Sequence, residues 1–392
     1  RCRWAEDGLF EYDGLVQGSV KFDAFLEDKD EIFSPSQLET IANCPMRYLF
    51  EHIYGLKTLE ELGEEVSRRE MGQHVHAILR DFFERLKDEK KNVAEIGLNR
   101  AFALAEEVAN EYFRARPFLN KLEFYEFQKR DFLAGLERKA GSPEGSRERE
   151  GIFAQLLRFE EREFQDTFPA GMEYGFGQEA EAPVVLGKTR IRGYIDRFDI
   201  MKENRDWVFV YDYKTGGMPT SEMVKKGLSF QLPAYAQALK TSHPFKAISA
   251  AFYALKREVF LKGNPIKQRM NDHWEGMRGV DISGVALIDE YADHLVELFE
   301  GGYFHHSTDE LLCPYCEFRY ACYRDTRRMN HLVLSEADHH IYSGEKNLEK
   351  WKRVDNFRRE WKAISLSMQK ALHLKTESAR RKHFETVTNY KA

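Results

Sequence analysis

The residues best suited to chemistry are two aspartates and a lysine at the ends of two strand-like segments. Asp196 lies within the alternating segment 188–200, and Asp212 and Lys214 end the β-prone segment that begins at Trp207. Side chains alternate along a strand, so Asp212 and Lys214 share a face that Asp196 can also reach. Clustered carboxylates suit Mg²⁺ or Mn²⁺, and an adjacent lysine stabilises charge developing on a phosphate. This pattern favours metal-assisted phosphoryl chemistry, although a lone D-x-K triplet also fits an ordinary ion pair at a hairpin.

A histidine upstream is a candidate metal ligand. Gly72-Gln-His-Val-His76 falls in a predicted helix over residues 66–87. His74 and His76 are two positions apart, so they point in different directions on a helix. A helical histidine is more often structural than ligating, so the surrounding motif has to decide the role of His76.

A glutamine and a tyrosine downstream share one helical face. Phe230-Gln231-Leu-Pro-Ala-Tyr235 opens a predicted helix over residues 230–240. Gln231 and Tyr235 are four positions apart and can therefore act on the same site. We expect them to orient the groups around the carboxylates.

Three cysteines form a tight group near the C-terminal end. Cys313, Cys316 and Cys322 have the spacing C-x2-C-x5-C. In a reducing compartment such a group more often binds a metal than forms a disulfide. Zinc is the generic candidate, with His305 or His306 as a conceivable fourth ligand.

The elements that must position these residues form a mixed pattern of helices and strands. Ser34-Pro35-Ser36 predicts a helix start, with Ser34 as the N-cap and a helix reaching about Tyr54. The other predicted elements are helices over 66–87, 93–115, 123–139 and 230–240, one ending near Phe164, and strands over 188–200, 207–213, 250–255 and 258–261. The predicted class is α/β (α+β), with a mixed sheet embedded in many helices.

Composition indicates a folded protein with no membrane span. The 392 residues are 42% hydrophobic, 13% aromatic and 32% charged, with a net charge of −6. No apolar run approaches the roughly 20 residues that cross a bilayer, and no signal peptide opens the chain, so we expect a cytoplasmic location. Residues 341–392 carry 13 Lys and Arg against 6 Asp and Glu, which favours either phosphate contacts or solvated helices.

The order of these motifs resembles the PD-(D/E)XK nuclease superfamily, and specifically its RecB/AddB branch. An Asp on a strand, a turn, an apolar strand ending in D-x-K and then a helix is the superfamily's arrangement. The G-x-x-x-H and Q-x-x-x-Y motifs are typical of the branch. The resemblance covers Ser34 to about Tyr323 and implies a restriction-endonuclease-like fold. It also implies that His76, Asp196, Asp212 and the Tyr213 carbonyl bind Mg²⁺ or Mn²⁺.

The same resemblance assigns roles to the remaining motif residues. Lys214 would position the attacking water and stabilise the developing charge, and Gln231 and Tyr235 would orient the site. The implied activity is DNA phosphodiester hydrolysis by an exonuclease or endonuclease that leaves 5′-phosphate and 3′-hydroxyl ends. Further acids, among them Glu173, could supplement the site, but the sequence assigns none of them.

The resemblance also assigns the cysteines to a cofactor other than zinc. AddB-type nucleases carry a first cysteine in a segment like S-P-S-x-L…C-P-x-R-Y, which Ser34 through Cys44 to Tyr48 fits. By that match Cys44, Cys313, Cys316 and Cys322 hold a [4Fe–4S] cluster that staples the nuclease domain, with Zn²⁺ as the alternative.

The implied biology is end processing in recombinational DNA repair on single-stranded or duplex ends. The chain has no phosphate-loop motif G-x4-G-K-[S/T], so a helicase partner or a fused helicase region would supply ATP-driven movement. The chain starts with Arg, which suggests a piece of a longer polypeptide. We expect an N-terminal segment over 1–33, a nuclease domain over 34–330 with a helical insertion over about 85–165, and a basic helical tail over 331–392. The alternatives are a non-catalytic DNA-binding or scaffolding protein with the same fold and a zinc-stapled interaction protein.

Overall fold

A computed structural model describes most of the chain between residues 32 and 324. The described residues are 14, 16, 22–23, 32–57, 68–116, 132–134, 150–178, 183–219, 223–224, 227–256, 260, 268–269, 286–302, 304, 306–307, 313–322 and 324. They fall into two compact units. The smaller comprises Arg1–Asp28, Asn43–Leu56 and Glu297–Ala392, and the larger comprises Lys29–Ala42 and Lys57–Val296.

The described part of the chain contains eight strands in two sheets. The strands are β1 (Ile32–Phe33), β2 (Thr167–Phe176), β3 (Val184–Leu186), β4 (Thr189–Ile191), β5 (Gly193–Met201), β6 (Trp207–Lys214), β7 (Ala247–Ala254) and β8 (Gln268–Arg269). The main sheet has the order β2-β5-β6-β7-β8, and a small sheet has the order β1-β4-β3. In the main sheet β6 pairs with β7 in parallel, whereas the other pairs are antiparallel. This mixed sheet confirms the predicted fold class.

The helices of the larger unit flank these sheets. They are α1 (Pro35–Asn43), α3 (Arg68–Glu89), α4 (Val93–Ile96), α5 (Leu98–Arg114), α6 (Ile152–Glu163), α7 (Gln231–Ser242) and most of α8 (Ala286–Glu300). The predicted apolar face of α3 is confirmed, because Phe82, Phe83 and their neighbours join one core with α5, α6 and the central strands. Residues 208–213 of β6 are all buried, as expected of a strand covered on both faces.

Two predicted helices are interrupted in the structure. The helix from Ser34 ends at Asn43 because Cys44 is extended, with φ −161° and ψ 95°, and Pro45 starts a new helix. Proline disfavours helical backbone at the residue before it. The Ser34 cap itself is confirmed, since its Oγ accepts the Gln37 N–H at 3.2 Å and Gln37 Oε1 accepts the Ser34 N–H at 2.8 Å.

The second interruption separates α4 from α5 at Gly97. The predicted single helix over residues 93–115 breaks there because this glycine has φ +76°, a conformation outside the helical region that glycine adopts at little cost.

The predicted strand over 188–200 is also wrong in its extent. It is two strands, β4 and β5, and the chain passes from the small sheet to the main sheet at Arg192, whose N–H donates to the Phe33 carbonyl at 3.0 Å. Strand β2 was not predicted at all. Its Pro169, Gly171 and Gly175 lower strand propensity, and a bulge interrupts its pairing between Pro169 and Gly171.

Some predicted elements cannot be compared with the structure. The helix over 123–139 and the strand over 258–261 lie almost entirely outside the described residues, and the basic segment 341–392 lies wholly outside them. No helix among the described residues has both the length and the apolar composition to cross a membrane.

The smaller unit contains α2 (Pro45–Tyr48), a π-helical turn over Leu49–Ile53, the end of α8 and a 3₁₀ turn over Cys313–Tyr315. Aromatic rings pack its interior. The Tyr48 ring lies 5.8 Å from Phe299 and 6.4 Å from Phe304, and Phe50 lies 5.7 Å from Phe318. These contacts bring the segment after Cys44 together with the segment that holds the other three cysteines.

Candidate active site

The register of β5 and β6 brings the two predicted aspartates side by side. Arg197 lies opposite Tyr211, so Asp196 and Asp212 are the next residues on their strands and face the same side. Lys214 Nζ lies 2.6 Å from Asp212 Oδ2. The structure thus brings together the three residues that the sequence singled out.

Asp212 is the deeply buried member of this group, with 2% of its surface exposed. Burial raises the pKa of its carboxyl group to about 6, and the Asp196 charge raises it further, whereas Lys214 opposes the shift. A buried carboxylate beside a second carboxylate is a strong acceptor for a cation.

Helix α3 brings His76 onto the same face. His76 Nδ1 lies 3.5 Å from Asp196 Oδ2. Burial lowers the pKa of His76, but the hydrogen bond and charge of Asp196 outweigh it, so the pKa is raised overall. His74 points elsewhere and its Nδ1 lies 2.7 Å from the Tyr112 hydroxyl, as the helical spacing predicted.

A glycine lets α3 approach the end of β6. A Cβ atom at Gly72 would lie 3.1 Å from Thr215 Oγ1, the residue after Lys214. Gly72 and His76 are one helical turn apart and share a face. The small residue in G-x-x-x-H therefore allows the close approach that carries the histidine to the carboxylates.

Asp196 is fixed by the backbone of the neighbouring strand. Its Oδ2 atom accepts the N–H of Tyr213 at 2.8 Å. The same carboxylate group forms part of a cluster with His76 and Glu173, whose ligand atoms all lie within 4.8 Å of one another. Glu173 lies on β2, and the sequence could not assign it because that strand was not predicted.

Helix α7 holds the D-x-K motif from the other side. Lys214 Nζ donates to Gln231 Oε1 at 2.6 Å, and the Tyr235 hydroxyl donates to Asp212 Oδ1 at 3.3 Å. Both residues of the Q-x-x-x-Y motif therefore contact the residues that the sequence paired them with.

Glu39 of α1 anchors the start of α7, which sequence reasoning missed. Its Oε1 atom accepts the Ser229 hydroxyl at 2.9 Å, the Phe230 N–H at 2.7 Å and the Gln231 N–H at 3.3 Å. The first N–H groups of a helix lack partners within the helix. Glu39 supplies one for them and so fixes the position of Gln231.

A buried ionic network lies behind the site. Arg197, 1% exposed, makes paired contacts of 2.9 Å with Glu160 and of 2.6 Å with Asp199, and it donates to the Tyr213 hydroxyl at 3.2 Å. Such paired contacts fix both position and orientation. The network ties α6 to β5 and β6 next to Asp196.

The four predicted cluster cysteines gather in the smaller unit. Burial raises the pKa of the Cys322 thiol to about 12, and the electrostatic effects of Cys44, Cys316 and Cys313 add to the shift. His306 Nε2 lies 2.9 Å from the Cys322 carbonyl. These contacts place Cys44 near the C-x2-C-x5-C group.

The fold and the site together define a nuclease class. A family model described as the PD-(D/E)XK nuclease superfamily matches residues 32–323. The chain belongs to that superfamily, which confirms the family resemblance drawn from the sequence.

Three of its relatives are named as B-type subunits of an ATP-dependent helicase/deoxyribonuclease. The one from Moorella thermoacetica is 28% identical over 278 residues, which cover 65% of this chain and 22% of the relative. The one from Desulfitobacterium hafniense (strain DSM 10664 / DCB-2) is 29% identical over 224 residues, covering 54% and 17%. The one from Carboxydothermus hydrogenoformans is 25% identical over 240 residues, covering 57% and 19%. The chain spans about a fifth of the length of these curated relatives.

Proposed function

We propose that the chain is a divalent-metal-dependent nuclease that hydrolyses DNA phosphodiester bonds. The observation that carries the proposal is the position of Lys214. Its ammonium group contacts Asp212 and Gln231 on the face where His76 and Asp196 meet. An incidental D-x-K ion pair would not require these side chains from four separate elements to converge.

The donor atoms of the site fit Mg²⁺ or Mn²⁺. Asp196 and Asp212 offer carboxylate oxygens, His76 offers an imidazole nitrogen, and the Tyr213 carbonyl is adjacent in the chain. Hard oxygen donors favour Mg²⁺ and Mn²⁺, and an imidazole is compatible with Mn²⁺. A bound cation of this kind would neutralise charge on the scissile phosphate and favour ionisation of water.

The protein residues then have separate tasks. The Lys214 ammonium would orient the attacking water and stabilise negative charge that develops on the phosphate oxygens. Gln231 and Tyr235 would hold Lys214 and Asp212 in place. Water would form the new bond to phosphorus as the bond to the 3′ oxygen breaks, which leaves 5′-phosphate and 3′-hydroxyl ends.

The names of the relatives support DNA as the substrate and a helicase as the partner. Each is called a subunit of an ATP-dependent helicase/deoxyribonuclease. We propose that the chain processes DNA ends in recombinational repair, with the motor activity in a fused region or a separate polypeptide. A chain equally processive on long duplex DNA without an ATP-driven partner would contradict this proposal.

Exchange of the motif lysine tests the nuclease proposal. Lys214→Ala and Asp212→Ala should abolish cleavage of single-stranded DNA because charge stabilisation or cation binding is lost, while circular dichroism remains that of a folded protein. Lys240→Ala is the matched control, because Lys240 is exposed on the same helix as Gln231. Undiminished cleavage by either motif variant would contradict the site assignment.

We further propose that Cys44, Cys313, Cys316 and Cys322 hold a [4Fe–4S] cluster. A tetrahedral zinc site with Zn–S bonds of about 2.3 Å brings its sulfurs to roughly 3.8 Å from one another. Within the described part of the chain, the one group of three ligand atoms within 4.8 Å contains no cysteine. The wider spacing of the thiols supports a larger inorganic cluster over a single zinc ion.

Metal analysis separates the two cofactors. Anaerobically purified protein should be brown and contain about four iron and four sulfide per chain, as the [4Fe–4S] stoichiometry requires. Cys322→Ser should lose most of this iron. Stoichiometric zinc without sulfide would contradict the cluster and favour the zinc alternative.

A further inference from the structure

Glu173 stands level with Asp196 on the neighbouring strand. Met172 pairs with Arg197 and Tyr174 pairs with Ile195, so Glu173 faces Asp196 across β2 and β5. Continued to β6, this line passes through Asp212. Three carboxylates from three adjacent strands therefore form one row on the face that His76 covers.

The Glu173 carboxylate makes no hydrogen bond or ion pair within the described residues, although it is partly buried. Its nearest charged neighbours include Asp196, which repels it, and His76 and Arg80, which attract it. Burial raises the pKa of Glu173, and the Asp196 charge raises it further. An acid held beside a second acid without a partner of its own needs a cation to offset the repulsion.

The backbone at Glu173 is held in an unfavourable conformation. Its φ of +45° lies in the left-handed region, and it is one of two described non-glycine residues with positive φ. Side chains other than glycine adopt this region at a cost in free energy, and such residues concentrate at functional sites. The conformation aims the carboxylate at His76 and Asp196 instead of continuing the regular alternation of the strand.

We propose that Glu173 is a further ligand of the catalytic divalent cation and shares that cation with His76 and Asp196. The proposal rests on the proposed nuclease function, because it concerns the same cation. Glu173 would complete a set of three carboxylates and one imidazole. A third carboxylate would increase the affinity for a hard divalent cation by adding negative charge at the same position.

The test is direct binding of Mn²⁺ in the absence of DNA, measured by isothermal titration calorimetry. Glu173→Gln removes the charge but keeps the size of the side chain, and Asp196→Asn does the same for the motif aspartate. Glu106→Gln, exposed on α5, is the matched control. Glu173→Gln should weaken Mn²⁺ binding by at least about tenfold, since even residues that only support metal ligands contribute that much, and Glu106→Gln should bind like the wild type.

The outcomes separate this inference from the proposed function. If Asp196→Asn weakens binding and Glu173→Gln binds as tightly as the wild type, the role of Glu173 is overturned and the nuclease site stands. If the wild type binds no Mn²⁺, or Asp196→Asn binds it unchanged, the proposed metal site itself is overturned.

A second variant excludes a purely structural role. Glu173→Gly accepts the positive φ without strain, so in the presence of EDTA it should melt no lower than the wild type while binding Mn²⁺ as weakly as Glu173→Gln. A clear fall in melting temperature for both variants, with normal Mn²⁺ affinity, would show that Glu173 serves the fold and not the cation.

Discussion

At the scale of single residues, the charge state of Asp212 links the site to the stability of the fold. Its folded-state pKa is raised to about 6 by burial, above the ordinary value of 3.8. The folded protein therefore binds a proton more tightly than the unfolded chain does. In the absence of metal, this group favours folding below pH 4, and the contribution is lost as pH rises through about 6.

Asp212→Asn should remove this pH dependence. In EDTA, the unfolding free energy of the wild type should fall relative to the variant by up to about 3 kcal/mol between pH 4 and pH 8. Urea denaturation at several pH values measures the difference. Asp166→Asn, at an exposed position, is the control. Parallel pH profiles for the wild type and Asp212→Asn would contradict the raised pKa.

The residues of the site were predictable to the extent that they lie in motifs. His76, Asp196, Asp212 and Lys214 were chosen from spacing and motif order, and the structure brings them together. Glu173 could not be assigned because its place depends on the register between β2 and β5, which no local pattern reveals. The roles of these residues in binding metal remain predictions.

At the scale of elements, the site depends on how α7 begins. Glu39 accepts the Phe230 and Gln231 N–H groups, and Gln231 in turn accepts Lys214 Nζ. Glu39 is a positioning residue in this chain of contacts. Its contribution is invisible in the sequence because Glu39 and Gln231 lie on helices far apart along the chain.

Glu39→Ala should therefore slow DNA cleavage by about tenfold to a hundredfold, the range seen when groups that support metal ligands are removed. It should also lower the unfolding free energy by about 1 kcal/mol, as loss of a helix cap does. Glu39→Gln keeps an acceptor oxygen and should recover most of the activity. Equal loss of activity in both variants would contradict a hydrogen-bonding role.

The elements were predicted less well at their ends than in their interiors. The apolar faces of α3 and β6 follow from periodicity, and both are buried as predicted. The division of the predicted strand at Arg192 was not predictable, because the alternation of side chains continues while the chain changes sheets. Tertiary pairing, and not local propensity, decides such boundaries.

At the scale of the whole molecule, the candidate catalytic residues and the cysteines belong to different units. His76, Asp196 and Asp212 lie in the larger unit, and Cys44, Cys313 and the other two cluster cysteines lie in the smaller. Spacing alone grouped three of the cysteines, whereas only the family resemblance connected Cys44 to them. Contacts that close long loops carry no signal in local sequence.

The central claim is that the chain cleaves DNA by using a divalent cation at the D-x-K site. The most direct measurement is digestion of end-labelled single- and double-stranded DNA by the wild type beside Asp212→Ala, with Mg²⁺ or Mn²⁺ and with EDTA. We expect cleavage by the wild type only when the cation is present, with 5′-phosphate ends, and none by Asp212→Ala. Cleavage that persists in EDTA, or that Asp212→Ala retains in full, would contradict the claim.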